Sequence, residues 1–223
     1  MNEIVIIPAY NEEFKIYNIV KSVLGLGYNV VVVDDGSSDF TAQEAKRSGA
    51  IVLGHFVNRG YGAALETGNQ YALRHGYNII VHFDGDGQHN AEEIKDVVAP
   101  IERAEADAVI GSRFLSDNKS LPIVRKVLIK FAVLFTWLFS GIKLTDAHNG
   151  FRAFSARALG VIQCRQDGMS YASEVIDQIA EHKLKIAEVP VTIQYTDYSK
   201  AKGESNIKKI FVGLKFLWGK VIK

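Results

Sequence analysis

In the first half of the chain, apolar residues come in short continuous runs rather than in alternation. "EIVIIPAYN", "NVVVVDDGSSD", "AIVLGHF", "NIIVHFDGDG" and "DAVIGSRF" each read as a strand buried on both faces. Helical patterns separate them: Glu12 to Leu26, closed by Gly25 and Gly27; about Thr41 to Ser48; "GYGAALETGNQYALRHG", with glycines at both ends; and about Ala91 to Ala104. Strands of this kind alternating with helices predict an α/β fold with a mostly parallel central sheet and helices on both faces. The second half is less regular. "LPIVRKVLIKFAVLFTWLFSG" predicts a very apolar helix, a further helix lies around Tyr171 to His182, "KIAEVPVTIQY" reads as a strand, and a last helix starts near Asn206.

In open parallel sheets, ligands bind beyond the carboxyl ends of the strands. Those ends carry "PAYNEE", "DDGSSD", "NRG", "DGDGQH" and "GSRF". Polar loops are ordinary one at a time, but five clusters on one edge predict a site. Asp84 and Asp86 stand two apart and, in an extended segment, point the same way. Two converging carboxylates repel unless a cation lies between them. A hard divalent ion, Mg2+ or Mn2+, fits oxygen ligands and leaves positions for phosphate. Gln88 continues the period with a carbonyl oxygen, and Gly85 and Gly87 let backbone approach a ligand. "NRGYGAALETG" lacks both a P-loop Lys-Ser/Thr and a full G-x-G-x-x-G, so its glycines are expected to serve helix–sheet packing.

Composition narrows the class. With 223 residues, 48% of them hydrophobic, the chain suits one domain with a full core. The single cysteine, Cys164, excludes an intramolecular disulfide and fits a reducing compartment. Met1-Asn2-Glu3 leads straight into a strand with no sign of a signal peptide, and the longest apolar run, Phe131 to Ile142, is 12 residues, too short to span a bilayer. Charge is uneven. From Ser199 onward seven lysines face one acid, a net +6, while the remainder holds 19 basic against 24 acidic residues, −5. A basic tail predicts an anionic partner. It has no interleaved reading motif, which argues against nucleic acid.

Strand-PAYNE, strand-DDGSSD, strand-DGDGQH, GSRF and DAHNGFR, in this order, resemble family 2 glycosyltransferases of the GT-A nucleotide-diphospho-sugar transferase fold. More closely they resemble the polyprenyl-phosphate branch, dolichyl-phosphate mannose synthases and undecaprenyl-phosphate glucosyl- or mannosyltransferases, over residues 3 to 206. The resemblance implies a glycosyltransferase domain over 1–206, with a donor half of about 1–115 and an acceptor half of about 116–206, and a separate basic helix over 207–223. It implies that Pro8, Tyr10 and Glu12 line the base and ribose pocket and that Val33 and Asp35 contact the nucleoside. Asp84 and Gly85 would lie against ribose and phosphates. Asp86 and Gln88, with Asp84 beside them, would hold the metal on the diphosphate, where it neutralises charge on the departing nucleotide. Arg113 would add a guanidinium suited to phosphate.

The acceptor is read from the second half. Branches that glycosylate hydroxyls carry a Glu-Asp base pair on a helix. Here "YASEVIDQ" offers Glu174 followed by Val175, with Asp177 one turn on. A lipid phosphate is already ionised and needs no base, so the missing Asp favours a polyprenyl-phosphate acceptor. "TDAHNGFRAF" resembles D-x-x-S-G-F-R with Asn149 in the hydroxyl position; it places Asp146 and Arg152 near the acceptor end, or makes them a buried salt bridge. "KAKGESN" resembles R-x-x-G-x-S-K, with Lys200 for the Arg and Asn206 for the Lys, so a lid over the diphosphate keeps its charge but loses the bidentate fork.

Ile207, Ile210, Phe211, Leu214, Leu217, Trp218 and Val221 form one apolar stripe opposite five lysines. That pattern suits an interfacial helix on an anionic membrane or a surface helix packed on the core. Phe131, Phe135, Trp137 and Phe139 exceed what one core stripe needs, and in the resembling enzymes this region forms interfacial amphipathic helices. The expectation is a cytoplasmic enzyme, peripheral on the cytoplasmic face of the membrane, alone or through a separate membrane-anchoring subunit. The alternatives are a glycosyltransferase acting on a hydroxyl of a lipid-linked glycan or polysaccharide, and a nucleotide-sugar-binding module without catalysis.

Overall fold

The computed structural model describes residues 2–116 and 123–194. Seven strands form one sheet: β1 Glu3–Ala9, β2 Asn29–Asp34, β3 Ile51–Gly54, β4 Ile79–His82, β5 Ala108–Ser112, β6 Arg152–Ser155 and β7 Ile186–Pro190. Their order across the sheet is β3-β2-β1-β4-β6-β5-β7. Every pairing is parallel except those of β6, which runs antiparallel to both β4 and β5. β6 therefore lies between two strands of the expected donor half, and the halves about 1–115 and 116–206 share one sheet.

The period of two along each strand divides the core. Val5, Ile7, Val30, Val32 and Val81 face α1 (Ile16–Gly25), α2 (Thr41–Ser48) and α4 (Ile94–Glu102). Ile4, Ile6, Val31, Val33, Ile80 and Phe154 face α3 (Tyr61–Arg74), α6 (Ala156–Leu159) and α7 (Tyr171–Glu181). Both sets are almost wholly buried, which is why these strands read as unbroken apolar runs. A smaller cluster of Ile110, Leu144, Ala147 and Ile176 packs with Val133 of α5 (Ile123–Ser140).

Two boundaries differ from expectation. The first helix starts at Ile16 rather than Glu12; ahead of it the Glu12 N–H donates to Thr41 Oγ1 at 2.7 Å and the Glu13 N–H to Asp39 at 3.3 Å. Those bonds tie residues 11–13 to the loop after β2. The Ala91 helix opens with a short 3-10 turn capped by Asn90 and ends at Glu102. Among the described residues no helix is long and apolar enough to cross a membrane. The helix expected over 207–223 and the lid expected around Lys200 lie outside the described residues.

Candidate active site

β1, β2 and β4 deliver the acidic rim. Phe83 ends the buried run with its N–H on the Ile6 carbonyl, and Asp84 to Gly87 form a turn, not the extended segment that would align the two carboxylates. The turn is pinned: Lys15 Nζ donates to the Asp86 carbonyl at 2.7 Å, and the Gln88 N–H donates to Asp86 Oδ1 at 3.0 Å.

The two aspartates have different surroundings. Asp84 accepts the Tyr61 hydroxyl on Oδ1 and His89 Nε2 at 2.8 Å on Oδ2. Burial raises its carboxyl, but the bonds from His89 and Tyr61 and the nearby Arg113 guanidinium outweigh it and lower it overall. Tyr61, buried beside that charge, has its phenol well above the ordinary range and stays a donor. Asp86 has no such support. Burial first, and the Asp84 charge second, push it up to about 6. An acidic group so raised beside another carboxylate is suited to a cation. Among the described residues no group of three or more His, Cys, Asp or Glu could hold a metal. Asp86 and Gln88, the pair expected to hold Mg2+ or Mn2+, would therefore leave most positions on such an ion to water and substrate phosphate.

Arg113 follows β5. Its N–H and Nε both donate to Asp146 Oδ2, at 3.2 and 2.5 Å. Asp146 is itself inaccessible; its Oδ2 holds Arg113, and its Oδ1 is buried without a hydrogen-bond partner. The salt bridge considered for Asp146 goes to Arg113 and not to Arg152. Arg152 is fully buried, donates from Nε to the Asn149 carbonyl at 2.8 Å and from Nη2 to the Ala147 carbonyl at 3.0 Å, and lies over the Tyr171 ring. It braces the Asp146–Phe151 loop from inside, and its Nη1 is buried without a hydrogen-bond partner.

Of the residues expected at the nucleoside, Pro8 and Val33 are register partners at the ends of β1 and β2, both buried, with Val33 wholly in the core under α3. Tyr10 stands 45% exposed on the rim, a ring available to a base; Glu12 is buried in the loop that Thr41 anchors. The Asp35 carboxylate accepts His55 Nδ1 at 2.7 Å and the N–H groups of Arg59 and Gly60 at 2.9 and 2.7 Å, so it organises the 55–60 loop. Gly85 approaches the Pro8 carbonyl closely.

The glycine-rich turn before α3 is no phosphate cradle. The Gly62 and Ala63 N–H groups donate to the Asp167 carbonyl at 2.8 and 3.3 Å, and a side chain at Gly62 would overlap the Gln166 carbonyl. The helix–sheet packing expected of these glycines is found at Gly68, which lies against Ile6 of β1, whereas Gly60 and Gly62 pack on the 166–167 loop. Glu174 belongs to the same contact, accepting the Gln166 N–H at 3.0 Å.

Sequence reasoning missed Tyr61, His89, Gly150 and Glu188. Glu188 of β7 accepts the Thr145 N–H at 2.8 Å and the Asp146 N–H at 3.0 Å, setting the turn that presents Asp146 to Arg113. His89 could have been found, since it follows Gln88 in the same rim cluster; the partners of the other three come from elements far apart in the chain.

Residues 4–162 match the sequence profile of Glycosyl transferase family 2. The chain belongs to that family. It is a glycosyltransferase of the GT-A type. It is similar to a UDP-N-acetylglucosamine–dolichyl-phosphate N-acetylglucosaminyltransferase of Methanococcus voltae, 37% identical over 96% of this chain and 92% of that protein. It is also similar to an undecaprenyl-phosphate mannosyltransferase of Micrococcus luteus, 30% identical over 93% of this chain and 89% of the relative. Among solved structures it resembles glucosyl-3-phosphoglycerate synthase from Mycobacterium tuberculosis in complex with Mn2+, uridine diphosphate and glucosyl-3-phosphoglycerate. That TM-score is 0.72 at 18% identity, covering 98% of this chain and 80% of the other, and it bears on the fold alone.

Proposed function

We propose that this glycosyltransferase moves a hexose from a nucleotide sugar to a polyprenyl phosphate, with inversion and with Mg2+ or Mn2+ bound. The observation that carries the reading is the rim on which the Asp84 carboxylate, held by Tyr61 and His89, is acted on by the Arg113 charge and in turn acts on Asp86. Asp86 and Gln88 would hold the cation, which supplies charge neutralisation for the leaving diphosphate. Arg113, oriented by Asp146, offers its remaining guanidinium nitrogens to phosphate oxygens. Glu174 supports a phosphate acceptor over a hydroxyl, because its carboxylate caps the Gln166 N–H instead of standing as a base.

The two relatives' names support the lipid-phosphate acceptor and span two donors, UDP-N-acetylglucosamine and a mannosyl donor. Membrane contact is supported by α5, where Phe131 is 63% and Leu138 67% exposed while Lys143 lies over the Trp137 ring. The reading is a peripheral enzyme at the cytoplasmic face, on its own or with an anchoring subunit.

The test is incubation with membrane lipid extract, Mg2+ or Mn2+, and labelled UDP-glucose, UDP-N-acetylglucosamine and GDP-mannose. Label in an acid-labile lipid phosphate is expected, and Asp86→Ala is expected to lose it. Transfer to a glycan hydroxyl, or nucleotide binding with no turnover on any lipid, overturns the reading.

A further inference from the structure

Asp84 is gripped from three directions, by His89 of its own loop and by Tyr61 and Gly150 from elements distant in the chain. The Tyr61 hydroxyl, from the first turn of α3, donates to Oδ1, and His89 Nε2 donates to Oδ2 at 2.8 Å. An ionised carboxylate only accepts, so Nε2 carries the hydrogen of the His89 ring. Behind them Gly150 closes the third side: a Cβ there would stand 2.6 and 2.7 Å from the two Asp84 oxygens.

Both donors are locked by their own packing. The His89 side chain is 2% exposed and its ring lies against Phe83 and Phe151, with centroids at 5.5 and 5.0 Å. The Tyr61 ring packs on Tyr171 at 5.3 Å. Asp86, by contrast, accepts one bond from within its own turn.

We propose that Tyr61 and His89 are positioning residues for donor binding: together they fix the rotation of the Asp84 carboxylate, so that cation and diphosphate meet an already ordered rim at Asp86. Without those donors, Asp84 could turn about its terminal torsion and compete with Asp86 for the same cation. Ordering a polar group before the ligand arrives removes that cost from binding. The inference rests on the metal-assisted reading above and adds two residues to it.

The experiment measures Mn2+-dependent binding of UDP and of GDP by calorimetry, alongside the ligand-free melting temperature. The proteins are the parent, Asp86→Ala, Tyr61→Phe, His89→Ala and His89→Gln. Phenylalanine keeps the ring contact with Tyr171 and removes only the donor; the glutamine amide can replace Nε2. The parent is expected to bind one nucleotide only with Mn2+, and Asp86→Ala to lose that binding. Tyr61→Phe and His89→Ala are expected to weaken it at least about tenfold, the scale of one hydrogen bond to a charged group. His89→Gln is expected to recover most of the loss. Parental affinity in Tyr61→Phe and His89→Ala overturns the proposal, as does a loss that follows melting temperature as reduced stoichiometry at unchanged affinity. A parent without Mn2+-dependent binding, or an Asp86→Ala protein that binds like it, overturns the metal-assisted reading itself, and this proposal with it.

Discussion

Gly150 lies against the carboxylate of Asp84, so that the loop before β6 and the loop after β4 meet with no room for a side chain. Gly150→Ala must push Asp84 aside or open the loop. Overpacking of this kind costs about 1–3 kcal/mol, and activity is expected to fall at least tenfold because Asp84 moves. Urea denaturation and initial rates on one preparation check both; full activity in the alanine variant would show that the contact yields freely.

Arg113 and Asp146 form an almost inaccessible ion pair, 8% and 0% exposed. Asp146→Asn leaves the guanidinium without its counter-charge, a change worth about 3–5 kcal/mol where a buried pair is broken. The denaturation midpoint is expected to drop accordingly and turnover with it. Glu188→Ala, which unties the Asp146 turn without touching Arg113, should show the same signs to a smaller extent. A variant pair in which Glu188→Ala is the more damaged would reverse this ordering.

His82 and His148 are held neutral. Burial first, then the Arg152 charge, pushes them down to about 3 and about 4. In the unfolded chain a histidine takes up its proton near the ordinary value of about 6.5. From there down to about 4 the unfolded state binds more protons, so stability falls as pH falls, by about 1.4 kcal/mol per pH unit for each histidine. Above that window the contribution is flat. Denaturation between pH 7.5 and 4.5 measures the slope. His82→Gln, whose amide can keep the bond to Asn69, is expected to lower the slope by the share of one histidine and leave that of His148, and an unaltered slope would remove His82 from the account.

Much of the fold was legible because β1, β2 and β4 are buried on both faces and write that fact as unbroken apolar runs. Asp84 and Asp86 stood out for the same local reason, two charges directly after such a run. What escaped was everything set by distant pairing. The partner of Asp146 could be Arg113 or Arg152 on sequence spacing alone; the choice is made by β5 and β6 lying side by side. Tyr61 reads as one more aromatic at a helix start until α3 crosses the sheet and brings its hydroxyl to Asp84. The bonds from the Glu12 and Glu13 N–H groups to Thr41 and Asp39, which tie the start of α1 to the loop after β2, leave no trace in helical periodicity.

The antiparallel insertion of β6 has a consequence for how the protein is made. A ribosome releases β4 and β5 well before Arg152, and until then each presents an open ladder edge where β6 will sit. A nascent or truncated chain ending near Ser116 therefore leaves β4 open on one side and β5, which also awaits β7, open on both, and such unpaired edges invite chaperone capture and aggregation.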